Sequence, residues 1–153
     1  LVGKLFIDEG SPVLLEAPSY LAAIQAFRVY GAEFHGLRLS EDGIDPEALR
    51  QAIARRRPAF VYLIPTFQNP TGYCYSEANR RAVAAVLDEA GVPLVEDDPY
   101  RDLAYGPAER TPICAYLRRA PGCIWAASPK SPRRACASAI WPPRPRCSPG
   151  CCD

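Results

Sequence analysis

Apolar residues fall along the chain in two alternating rhythms. Short uninterrupted runs of strand length, Val13-Leu14-Leu15, Phe60-Val61-Tyr62-Leu63-Ile64 and Val92-Pro93-Leu94-Val95, each stop at residues that cannot continue them. Between these runs, apolar side chains recur every three or four positions, first as Leu21, Ile24 and Phe27, then as Val83, Val86, Leu87 and Ala90. The polar punctuation agrees with a change from strand to helix. Ser19 is placed to cap a helix over residues 20–30 that Gly31 ends, Asp45-Pro46 opens a helix over 47–56, and Ser76 caps a third that Gly91 stops. Residues 33–39 alternate loosely as a strand, 1–7 read as a helix end, and 123–127 as a short strand. The βα alternation from Pro12 to Val95 predicts an α/β fold with a mostly parallel, doubly wound sheet and helices on both faces.

Two of the strand ends carry the polar chemistry. The run ending at Ile64 empties into Pro65-Thr66-Phe67-Gln68-Asn69-Pro70-Thr71-Gly72, and the run ending at Val95 passes into Glu96-Asp97-Asp98 with Tyr100 close behind. A helical crossover between them makes the two strands parallel, so both loops lie on the carboxyl edge of one sheet, where open α/β sheets bind ligands. Asn69, Asp97 and Tyr100 therefore converge. An acid, an amide and a phenol suit a planar heteroaromatic ligand with a basic ring nitrogen and a phenolic oxygen: the carboxylate holds the nitrogen protonated while amide and phenol bond the oxygen. Asp97-Asp98 alone could instead be a Mg²⁺ or phosphoacceptor pair, a reading that leaves the 68–72 loop and Tyr100 without a role. Glu96 and Asp98 read as structural neighbours of Asp97. Tyr20 by itself would be an ordinary aromatic at a helix start, His35 a surface residue on an edge strand, and Arg55-Arg56-Arg57 a solvated helix end favoured by the helix dipole.

With EAPSYLAAIQAF, VYLIPTFQNPTG and VEDDPYRDLAY in place, the sequence resembles the class I/II aminotransferases, PLP-dependent enzymes of fold type I, in the branch that holds 2-aminoadipate and aromatic aminotransferases and the MocR-type regulators. The resemblance covers residues 1–130, as part of the large domain. It implies the cofactor pyridoxal 5′-phosphate, with Tyr20 stacked on its ring, Asn69 bonding the ring oxygen and the substrate carboxylate, Asp97 paired with the pyridine nitrogen, and Tyr100 bonding the ring oxygen. In the family a lysine Schiff base is exchanged for the substrate amine. Lys130 is the candidate for that lysine and Ser128 for a phosphate ligand; their segment, Ile124 to Lys130, is one residue shorter than the family's, with Pro129 where the family has an aromatic residue and Ser. The resemblance further implies a cis Asn69–Pro70 bond, amino acid and 2-oxo acid as substrates, and a homodimeric parent. A 153-residue piece lacking the family's amino-terminal phosphate turn and carboxyl-terminal small domain is expected to be inactive. The other class of function open to these motifs is the PLP-binding effector domain of a MocR-type transcription regulator, without turnover.

Composition changes little in this picture until the carboxyl end. A net charge of +1 offers no argument for nucleic acid or a membrane surface, and no stretch has the uninterrupted apolar length of a membrane-spanning helix. The amino end lacks an initiator Met and a signal-peptide layout, so the chain is expected to start inside a gene, and the isolated Cys74, Cys114 and Cys123 read as free thiols of a reducing cytoplasm. The tail cysteines, Cys151-Cys152 and scattered singles, lack zinc-ligand spacing, and no metal is expected. Four of the cysteines crowd into the last 18 residues beside many Pro and Arg. Residues 131–153 are expected to be an aberrant, frameshifted and disordered tail. Codons compatible with residues 132–141, read from the third base, spell Ala-Pro-Gly-Leu-Arg-Ile-Gly-Tyr-Leu, which is how the family continues at this point.

Overall fold

The computed structural model describes residues 2–103, 111–125 and 138–140. Four helices and seven strands are described: α1 (Val2–Phe6), β1 (Pro12–Ala17), α2 (Leu21–Arg28), β2 (Glu33–Ser40), β3 (Gly43–Ile44), α3 (Pro46–Arg56), β4 (Phe60–Leu63), α4 (Glu77–Ala90), β5 (Leu94–Asp97), β6 (Gly122–Trp125) and β7 (Ser138–Ile140). They form one sheet in the order β3-β2-β1-β4-β5-β6-β7, in which β2, β1, β4, β5 and β6 are parallel and the two outer strands antiparallel. The expected doubly wound α/β architecture is thus present. Within 131–153, Ser138–Ile140 pairs antiparallel with β6, and the other positions lie outside the described residues.

Local chemistry explains the helix ends. Asp45 accepts from the Glu47 amide at 2.9 Å with Pro46 in the first turn, and Ser76 accepts from the Asn79 amide at 3.2 Å, so both expected caps are made. Gly91 ends α4 at φ 66°, in the left-handed region that a Cβ disfavours. The expected cap of α2 differs: Tyr20, with no capping side chain, precedes the first helical residue. Because α2 begins at Leu21, Ser19 stands one position too early to reach its amides.

Helices cover both faces. Against α3 and α4 lie Leu14, Val61, Leu63 and Leu94 of the strands, with Leu49, Ile53, Val83, Val86 and Leu87 of the helices. Against α1 and α2 lie Val13, Leu15, Phe60, Tyr62, Ile64 and Val95, with Phe27 the buried anchor of α2. The Phe27 ring meets Phe60 and Tyr62 edge-on, with centroids 5.3 and 5.5 Å apart, and such pairs contribute about 0.5–1.5 kcal/mol beyond the area they bury. The chain runs outward from β1 to β2, then returns to the opposite side of β1 with β4. Strand order therefore reverses between β1 and β4, which opens a crevice above their carboxyl ends.

Candidate functional site

The crevice is a real cleft, about 380 Å³ in volume, on the α2 side of the sheet. Its walls come from three strand ends: Tyr20, Ala23 and Phe27 from the turn after β1 and from α2, Tyr62, Ile64 and Asn69 from β4 and the loop that follows, and Asp97, Pro99 and Tyr100 from β5 and beyond. Tyr20, Asn69, Asp97 and Tyr100, the sequence-expected site residues among those described, are all brought together. Ser128 and Lys130 lie outside the described residues. Tyr20 and Tyr100 are 38% and 37% exposed while lining the cleft.

Asp97 forms the acidic floor. Pleating sends its side chain to the α2 face with Tyr62, whose hydroxyl donates to Asp97 Oδ2 at 2.6 Å. No described residue donates to the other carboxylate oxygen. Burial pushes the Asp97 carboxyl above its usual range and the Tyr62 bond opposes that push, whereas burial and the neighbouring Asp97 charge drive the Tyr62 phenol well above its ordinary value. Tyr62 is therefore a hydroxyl donor at every working pH. Glu96 and Asp98 point to the other face, as expected of structural neighbours. There Glu96 accepts from the Ile113 and Cys114 amides at 3.0 and 2.9 Å, and Asp98 faces Arg101 at 3.5 Å.

The loop bearing Asn69 is held in an uncommon shape. Phe67 sits at φ 52°, a conformation that costs a residue with a Cβ on the order of 1 kcal/mol or more, and the Asn69–Pro70 bond is cis as expected. A second cis bond, Ala17–Pro18, precedes Tyr20. Gln68 ties these two turns together. Its Nε2 donates to Glu16 Oε2 at 3.1 Å and to the Pro18 carbonyl at 2.9 Å, while its Oε1 accepts from the Thr71 amide and hydroxyl at 3.0 and 2.8 Å. Glu16, fully buried at the end of β1, also accepts from the Ile64 amide at 3.0 Å and the Tyr75 hydroxyl at 2.8 Å.

Burial pushes the Glu16 carboxyl up to about 7, against the opposing hydrogen bonds and helped by the charge of Asp97. The folded chain thus keeps a proton between about pH 4.5 and 7 that the unfolded chain has released, and stability falls as pH rises through that window. Unfolding by urea at pH 5 and pH 8 is expected to show the native chain losing roughly 3 kcal/mol more than Glu16→Gln over that interval, since a pKa unit corresponds to about 1.4 kcal/mol. Equal pH dependence in the two chains would remove Glu16 as the source.

Tyr62, Glu16 and Gln68 were not among the expected site residues. Tyr62 reads as one more apolar member of a buried strand. Glu16 reads as a polar strand end and Gln68 as a turn former, and only the sheet order shows that the two meet across β1 and β4.

Comparisons with known proteins match this geometry. A profile of the family described as aminotransferase class I and II matches residues 2–128. The 2-aminoadipate transaminase of Thermus thermophilus is 48% identical over 130 residues, covering 84% of this chain and 33% of that protein. An uncharacterized HTH-type transcriptional regulator, YdfD of Bacillus subtilis, is 35% identical over 103 residues, 67% of this chain and 21% of the regulator. Among solved structures, LysN, an alpha-aminoadipate aminotransferase from Thermus thermophilus complexed with N-(5′-phosphopyridoxyl)-L-leucine, superposes with a TM-score of 0.73 at 44% identity, covering 81% of this chain and 33% of that one. The chain spans about a third of the length of the two Thermus proteins.

Proposed function

Since the chain belongs to the class I and II aminotransferases, we propose that its cleft is the pyridoxal 5′-phosphate site of an enzyme that moves an amino group from an amino acid to a 2-oxo acid. The observation that carries this reading is the group of side chains itself: a part-buried carboxylate with one oxygen to which no described residue donates, an amide and two tyrosines around one 380 Å³ cleft. Those groups fit the ring nitrogen, ring oxygen and flat face of this cofactor. When bound, pyridoxal 5′-phosphate supplies an electron-withdrawing ring that stabilises negative charge at the substrate's α-carbon.

The protein's part is to hold and to orient. Asp97 keeps a proton at the ring nitrogen, and the ion pair formed there would reverse the upward push that burial gives its carboxyl. Tyr62 fixes the orientation of Asp97 and supports its ionised form. Asn69 and Tyr100 would donate to the ring oxygen, and Tyr20 would hold the ring from the turn after β1. Lys130 is the candidate lysine for covalent attachment and Ser128 for the phosphate. The parent is proposed to work in the cytoplasm as a homodimer.

Full-length protein should carry a visible absorption band of the bound cofactor that shifts on adding an amino acid such as 2-aminoadipate, with the amino group recovered on an added 2-oxo acid. A protein that takes up no cofactor would overturn the reading. In the same assay Tyr62→Phe is expected to lower kcat about tenfold, the loss of one hydrogen bond to a charged group at roughly 1.5 kcal/mol. An unchanged kcat would remove Tyr62 from the site's function. The match to an HTH-type regulator favours a second reading, a cofactor-binding effector domain without turnover; cofactor uptake without amino transfer, together with a DNA-binding domain encoded upstream, would select it.

A further inference from the structure

Two of the cleft's three walls come from separate turns, after β1 and after β4, and one buried side chain governs how these two meet. We propose that the ionised Glu16 carboxylate is a positioning residue for the cofactor-holding loop, fixing through the Gln68 amide where Asn69 stands relative to Tyr20. This rests on the cleft being the cofactor site.

Three donors reach Glu16. The Ile64 amide and the Tyr75 hydroxyl take Oε1, and Gln68 Nε2 takes Oε2. The Ile64 amide can only donate, and the Gln68 amide group is committed by its other partners: Oε1 accepts twice from Thr71, so Nε2 must face Glu16 and the Pro18 carbonyl. Both carboxylate oxygens must therefore accept. The ionised acid accepts all three as they stand, the neutral acid keeps them only with its proton on Oε1 and the Tyr75 hydroxyl turned to accept it, and a glutamine amide in its place sets a donor against Gln68 Nε2. Gln68 is also a backbone node of the loop, its amide donating to the Tyr73 carbonyl at 2.9 Å and its carbonyl accepting from Gly72 at 2.6 Å. Asn69 is the next residue, and Tyr20 lies two residues beyond Pro18. Loosening the Gln68 side chain thus frees the two cleft walls from each other.

Burial, which raises the Glu16 carboxyl towards neutrality, places the switching of this contact near neutral pH. On the same face of the sheet, Glu16 meets Tyr75, whose phenol burial holds protonated, and the Arg80 guanidinium of α4 lies next to them on the Tyr75 and Pro65 carbonyls; Asp97 and Tyr62 act on Glu16 from the opposite face. Glu16 itself is wholly buried and does not line the cleft, so it acts through the loop and not by contact with the ligand.

The test titrates full-length protein with pyridoxal 5′-phosphate from pH 6 to 8.5, beside amide hydrogen exchange of residues 67–73 without the cofactor. Native protein should bind more tightly as pH rises, with a step near neutrality. Glu16→Gln should bind about tenfold more weakly at pH 8, lack that step, and exchange faster at the Gln68, Thr71 and Gly72 amides but not in α3. Native affinity, an unchanged step and unchanged loop exchange in Glu16→Gln would overturn the proposal. If that variant does not fold, Gln68→Ala decides, since it cuts the link and leaves Ile64 and Tyr75 on Glu16: weaker binding and faster loop exchange support the proposal, and native values for both overturn it. Should native protein bind no cofactor, the functional reading fails, and the exchange measurement alone still decides whether Glu16 holds the loop.

Discussion

Asp97→Asn in the full-length protein is expected to retain the cofactor and to lose turnover by two to three orders of magnitude, the scale seen when one electrostatic group is taken from a reacting centre. Asparagine has the same shape and can still meet the Tyr62 hydroxyl, which now bonds Asp97 Oδ2 at 2.6 Å. It carries no charge, however, and a neutral amide does not keep a proton on a pyridine nitrogen at working pH. Binding draws on Tyr20, Asn69 and Tyr100 as well, whereas the electron-withdrawing power of the ring depends on that proton. The expected pattern is a kcat far below native with cofactor stoichiometry near one per chain, read from steady-state rates and from the absorbance of bound cofactor. Native turnover in this variant would show that Asp97 does not hold the ring nitrogen.

The second large effect concerns stability. Arg80 of α4 is fully buried, and its guanidinium donates to the Tyr75 carbonyl at 3.0 Å, the Thr111 carbonyl at 3.1 Å, and the Pro65 carbonyl and Thr66 hydroxyl at 2.7 and 3.1 Å. It gathers the end of β4, the start of α4 and the segment leading to β6. Arg80→Met keeps most of the volume and leaves these acceptors without their donor. The expected cost is about 3 kcal/mol or more, because several buried acceptors each lose a charged donor worth roughly 1.5–3 kcal/mol, and that is a large part of the stability of an ordinary domain. Urea denaturation followed by far-ultraviolet circular dichroism measures it. A loss below about 1 kcal/mol would mean that the carbonyls find other donors.

Arg80 also marks the boundary of what the sequence reveals. The apolar period of α4 points to Val83, Val86 and Leu87, all buried, and Arg80 stands on the same face, three residues before Val83 and seven before Leu87. Its position signalled burial while its charge argued for solvent, and the deciding fact, carbonyls that come partly from segments 15 and 31 residues away, has no local signature. Leu21 and Ala90 erred the other way: both fit the helical period, yet Leu21 is 65% exposed and Ala90 also faces out, because each lies at a helix end beyond the reach of the sheet. Strand and helix order, the parallel sheet and the convergence of Asn69, Asp97 and Tyr100 were legible, since periodicity and turn residues report them locally. The Tyr62–Asp97 and Glu16–Gln68 contacts join segments about 35 to 50 residues apart, and nothing local to either segment names its partner.

The placement of β1 inside the sheet sets an order of events during synthesis. β1 leaves the ribosome before either of its sheet neighbours, β2 on one side and β4 on the other, and its β4 partner, Val13 against Phe60, is made only after β2, β3 and α3. Until then its β4-facing edge stays open and Glu16 remains in water, charged at cellular pH. Docking of β4 brings the Ile64 amide to that carboxylate, and the loop beyond β4 delivers Gln68 and Tyr75 immediately afterwards. A nascent chain therefore desolvates this charge only as its donors arrive.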